Sequence, residues 1–151
     1  MNHKNIREKD KFYMRHCITL AKEALKTGNS PVGSVVVHQD TIIGEGVESS
    51  KSTKDVTDHA EILAVRDAIS KEHLNNLGHS TLYTTHEPCV MCSYLIRHHK
   101  IPRIVYGITV EDIGGASSKF NLLCTTEVTS WDSKPEIIGG FLKEECENIT
   151  V

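Results

Sequence analysis

This sequence has no surplus of positive charge. Its 17 lysines and arginines are outnumbered by 20 aspartates and glutamates, which leaves a net charge of −3 with histidine neutral. A tight nucleic-acid binder usually shows a basic excess, so that class has no overall footprint here, and only a local patch is left open. No apolar run approaches the ~20 residues of a membrane span, so no membrane partner is expected. The chain opens Met1-Asn2-His3-Lys4, without an apolar signal region. A disulfide framework is missing too, because the five cysteines (Cys17, Cys89, Cys92, Cys124 and Cys146) are odd in number and irregular in spacing. A reducing, cytoplasmic location is the simplest expectation. The 151 residues suit one compact domain with a real core, over residues 1–151 and without a linker or repeat.

What is present centres on Glu87-Pro88-Cys89-Val90-Met91-Cys92. Thiols three positions apart in the first turn of a helix point to one side. Pro88 suits the start of such a helix, and the positive end of the helix favours thiolates. Two thiolates are half of a zinc site. Upstream, Asp58-His59-Ala60-Glu61 opens a second segment of helical period, with Ile62, Val65, Ala68 and Ile69 apolar. His59 supplies a third ligand and leaves the fourth tetrahedral position open, as in catalytic zinc sites. Glu61, two residues on, points elsewhere on a helix, which suits a group that stays off the metal and moves protons. A closed zinc knuckle would need a fourth Cys or His at matching spacing, and none stands there. A redox Cys-x-x-Cys pair would leave His59 and Glu61 unexplained. His-x-Glu followed by Pro-Cys-x-x-Cys is the signature of zinc deaminases that act on nucleobases.

In chain order, residues 1–11 are polar and read as frayed. Lys11–Thr27 reads as a helix with Met14, Cys17, Ile18, Ala21 and Leu25 inward. Val32–His38 and Thr41–Gly46 read as an antiparallel strand pair, interrupted by Gly33, Gly44 and Gly46, where backbone or ligand comes close. Residues 47–56 read as a loop, and a helix runs from His59 to about His73. Strand 81–85, the cysteine helix and strand 103–108 form a parallel unit, whose ligand site lies at the carboxyl ends of the strands, near Thr85-His86-Glu87. Lys119–Cys124 reads as a short helix, Pro135–Gly139 as an edge strand and Phe141–Ile149 as a closing helix.

These motifs resemble the cytidine-deaminase-like superfamily, above all its branch of bacterial tRNA adenosine, guanine and cytosine deaminases. Pro31-Val32-Gly33, Gly44-Glu45-Gly46, Leu82-Tyr83-Thr84-Thr85, Asn121-Leu122-Leu123 and Ile138-Gly139-Gly140 extend the likeness over residues 12–149. The resemblance implies an α/β fold, a three-layer αβα sandwich around a five-stranded mixed sheet. It implies one zinc per chain on His59, Cys89 and Cys92, Glu61 as the catalytic proton shuttle, and a homodimer. Glu48, Ala60, His86, Glu87 and Pro88 are the candidate substrate-binding residues. Three departures bear on substrate. The branch usually carries Asn where this chain has Glu48, and an ionised carboxylate only accepts hydrogen bonds. Its tRNA-editing members usually carry an acidic residue near Thr109-Val110 and a basic tail beyond the last helix. The expected activity is therefore zinc-dependent release of ammonia from a small amino-base or nucleoside, guanine-like first and cytosine-like second. Wobble-adenosine editing in tRNA is the alternative, and a deaminase-fold binding protein without catalysis is another.

Overall fold

The computed structural model describes residues 3–150. Its helices are α1 (His3–Lys26), α2 (Ser50–Thr53), α3 (Ala60–Ser70), α4 (Val90–His98) and α5 (Lys143–Glu147). Its strands are β1 (Gly33–His38), β2 (Thr41–Val47), β3 (Thr81–His86), β4 (Arg103–Ile108) and β5 (Glu136–Ile138). The strands form one sheet in the order β2-β1-β3-β4-β5. β1 runs antiparallel to β2 and β3, whereas β3, β4 and β5 are parallel. The sheet is therefore mixed, as the sequence suggested.

Period-2 alternation sorts the strand residues onto two apolar layers. Val35, Val37, Tyr83 and Val105 pack against Met14, Cys17, Ile18 and Ala21 of α1 and Cys146 of α5. Val36, Leu82, Ile104 and Tyr106 pack against Ala64, Val65 and Ala68 of α3 and Ile96 of α4. Helices on both faces give the three-layer sandwich. Cys17 and Cys146 are buried among these apolar side chains, and all five cysteines are free.

Two strand glycines set how closely α3 lies on the sheet. A Cβ at Gly46 would run into the carbonyl oxygen of Ala60, and one at Gly44 into that of Ala64. The obstacles are backbone, so α3 would have to lift. Gly46→Ala is expected to destabilise the fold by about 1–3 kcal/mol. At roughly 2–4 °C per kcal/mol for a domain of this size, its melting temperature should fall by several degrees. A melt within one degree of wild type would mean that α3 shifts at no cost.

The local elements depart from the sequence reading in four places. The stretch read as frayed is helical from His3; Met1 and Asn2 lie outside the described residues. Its anchor is Asp10, 4% exposed, which accepts bonds from both Arg103 Nη atoms (2.9 and 2.8 Å) and from the Tyr83 hydroxyl (2.6 Å). The 47–56 loop contains α2, whose Lys51 and Ser52 N–H groups donate to Asn29 Oδ1 at 3.1 Å. Residues 119–124 form a turn and not a helix. There the buried Arg97 Nη1 takes the carbonyls of Leu122, Leu123 and Thr125 at 2.9, 3.1 and 2.9 Å. The last helix is shorter than residues 141–149, because Leu142 adopts a left-handed φ of 49° directly before it.

Candidate metal centre and active site

His59 and Cys89 occupy equivalent places. Each is the extended residue directly before a helix, α3 and α4 respectively, and neither side chain caps its helix. Both are thereby free to face the gap between the two helix starts. Cys92 joins them from the first turn of α4. Pro88 stands two places before the helix and not at its start, and its carbonyl accepts the Gly115 N–H at 2.8 Å.

His59 Nδ1 lies 3.5 Å from Cys89 Sγ and 3.4 Å from Cys92 Sγ, and all three ligand atoms fall within 4.8 Å of one another. Zinc bond lengths of 2.0–2.3 Å in a tetrahedron require ligand separations of about 3.5–3.8 Å, and both nitrogen–sulfur separations fit that ion. Hydrogen bonds from Cys92 and from His59 pull the Cys89 thiol down to about 4, against its burial. The bond to Cys89 lifts His59 to about 9. The cluster thus already concentrates negative charge on sulfur, and a bound cation displaces its protons.

Glu61 is the second residue of α3 and is 4% exposed. Its Oε1 accepts the Thr84 hydroxyl at 3.1 Å, and its Oε2 lies 3.6 Å from Cys92 Sγ. Burial pushes its pKa up to about 7. A carboxyl group held there can take up and return a proton near neutrality. Thr84 escaped the sequence reading. The available signal was alternation along β3, which puts Leu82, Thr84 and His86 on the face of α3 and α4.

The other candidates divide. Ala60 is fully buried, with its carbonyl against Gly46. His86 ends β3, half-buried, with Nδ1 3.1 Å from Thr85 Oγ1, and burial pushes its pKa down. Glu48 is buried, and its charge raises the His59 pKa. Its Oε2 accepts the Ser49 and Ser50 N–H groups at 2.9 and 3.4 Å. Half of that carboxylate is therefore spent on the chain leading into α2. Glu87 is buried with both oxygens turned into residues 110–117.

The family model for the cytidine and deoxycytidylate deaminase zinc-binding region matches residues 7–108. The chain is 42% identical over 144 residues to a tRNA-specific adenosine deaminase of Buchnera aphidicola, covering 94% of this chain and 86% of the relative. It is 31% identical over 142 residues to a protein of the same name from Streptococcus pyogenes, covering 94% and 87%. A structure from work on tRNA:A34 deaminases that edit adenosine to inosine at the wobble position superposes with a TM-score of 0.83 at 26% identity, covering 93% and 99%. Bacillus subtilis guanine deaminase superposes with a TM-score of 0.60 at 32% identity, covering 72% and 66%. These matches overturn the ordering of substrates drawn from the sequence, in which guanine-like and cytosine-like free bases preceded adenosine in tRNA. The chain belongs to the family of zinc-binding hydrolytic deaminases that act on C–N bonds.

Proposed function

We propose that this protein converts adenosine in tRNA to inosine, at the wobble position of an anticodon. The observation that carries the reading is the match, over 94% of the chain, to relatives named tRNA-specific adenosine deaminase.

His59, Cys89 and Cys92 would hold the zinc. Zinc, when bound, lowers the pKa of water to about 7 and so makes a nucleophile available at neutral pH. Glu61 would accept one proton from the attacking water and pass it to the ring nitrogen beside C6; the remaining hydroxyl proton, carried by the same carboxyl, goes to the amino group, which leaves as ammonia while C6 keeps the oxygen. Thr84 keeps the Glu61 carboxylate turned toward the cluster. His86, at the carboxyl end of β3, and Pro88, beside Cys89, are the candidates to meet the base. Glu48 fixes the chain that delivers His59. Among the described residues no helix is long and apolar enough to cross a membrane. A cytoplasmic location goes with a tRNA substrate, and the family resemblance implies a homodimer.

The test is to incubate the zinc-loaded protein with a transcript bearing adenosine at the first anticodon position, and separately with guanine, cytosine and adenine. Nuclease digests of the RNA should contain inosine, and ammonia release from the free bases should stay at background. Turnover of any free base without inosine in the RNA would sink the proposal.

A further inference from the structure

Glu87 is 2% exposed, yet none of its hydrogen bonds goes to the metal cluster. Oε1 accepts the Val110 N–H at 2.9 Å and the Ser117 hydroxyl at 2.6 Å. Oε2 accepts the Ala116 and Ser117 N–H groups, both at 2.8 Å. An ionised carboxylate offers about four lone-pair sites, and all are taken. The loop after β4 comes so close that a Cβ on Gly114 would run into this carboxylate.

The same loop grips the backbone beside Cys89. Gly115 N–H donates to the Pro88 carbonyl at 2.8 Å, and Gly114 pairs with Cys89 as an isolated antiparallel bridge. The N–H of Glu87 itself donates to the Ile108 carbonyl at 2.7 Å. The turn 87–89 is therefore held between the end of β4 and the loop, and the Glu87 side chain keeps the loop in place.

We propose that Glu87 is a positioning residue for the metal. By fastening residues 110–117 against the turn, it fixes the Cys89 sulfur relative to His59 and Cys92. Cys89 precedes its helix; its carbonyl accepts the Ser93 N–H at 2.8 Å, but its side chain makes no capping bond, so the turn on its other side is held by the loop. The inference rests on the zinc site and is independent of the identity of the substrate. Loss of a group that orients a metal ligand costs on the order of 10- to 100-fold in metal affinity.

The experiment compares wild type with Glu87→Gln, Glu87→Ala and Gly114→Ala. The metal-free full-length proteins are titrated with zinc against a chromophoric chelator, and absorption spectra of the cobalt-substituted proteins report ligand geometry. Gln keeps one acceptor oxygen but turns an NH2 toward donors, so it should weaken zinc binding less than Ala. Gly114→Ala attacks the contact from the loop side and should shift the cobalt bands in the same direction. It and Glu87→Gln carry the test if Glu87→Ala does not fold. A lower melting temperature with wild-type zinc affinity and a wild-type cobalt spectrum would overturn the proposal, leaving Glu87 as a stabiliser of the loop alone.

Discussion

Glu61→Gln is expected to retain one zinc per chain and lose about 100- to 10,000-fold in turnover. The amide matches the carboxylate in shape and still accepts the Thr84 hydroxyl, so the geometry that now sets Oε1 3.1 Å from Thr84 Oγ1 is kept. What disappears is the proton-carrying oxygen beside Cys92. Metal content separates this loss from a loss of ligation, since Glu61 is not among the three clustered ligands. Zinc by elemental analysis and single-turnover deamination by the zinc-loaded variant make the test. Near-normal turnover would mean that another group moves the proton. Glu87 is ill-suited to that, with all four lone-pair sites occupied, which leaves His86 as the group to examine.

Asp10→Ala should destabilise the fold by about 3–5 kcal/mol, because it strands a charge in a largely buried place. The Arg103 side chain is 19% exposed and forks onto both Asp10 oxygens. Its other neighbour, Glu136, lies 3.5 Å from Nε and is itself 65% exposed, so it compensates little. The melting temperature should drop by roughly 10 °C. Arg103→Met in the same chain should restore part of that loss, since a pair of apolar replacements leaves no orphan charge. The pair sits at the first residue of β4, opposite Thr81 at the start of β3, and the metal cluster lies beyond the other ends of these strands. Zinc content of the folded single variant should therefore be unchanged. A loss below about 1 kcal/mol would show that water already screens the pair.

The metal site was legible because two short spacings carry it. A histidine before one helix and Cys-x-x-Cys at the start of another need only local geometry to face a common gap. The three-layer arrangement was legible through alternation and helical period. Partners far apart in sequence were not. Asp10 meets Arg103 across 93 positions, so the first helix looked unsupported. Arg97 drew residues 122–125 into a turn because a buried guanidinium needs acceptors, and that outweighed the local tendency to form a helix. The substrate was misread from single positions. Glu48 looked like a substrate-binding carboxylate that could only accept, but one of its oxygens serves the backbone of Ser49 and Ser50. Val110 looked like a missing acid, whereas its N–H is one of the four donors to Glu87.

The two rims of the sheet bear on self-association. A free strand edge is a template on which a second chain can add a strand. β5 is only three residues long and follows Pro135, which cannot donate to a ladder. β2 is seven residues long, but Ile43 is an extra residue against β1, where Val36 faces Gly44 and Val37 faces Ile42. Such a bulge breaks the regular spacing that a new strand would need. The Glu45 N–H is already taken by Asp67 Oδ2 of α3 at 3.0 Å, and Lys71 donates to the same oxygen at 2.9 Å. Neither rim therefore invites strand addition. Two copies of this chain, when they meet, would do so through helices and loops, and crowded or partly unfolded samples would have little native edge from which to grow fibrils.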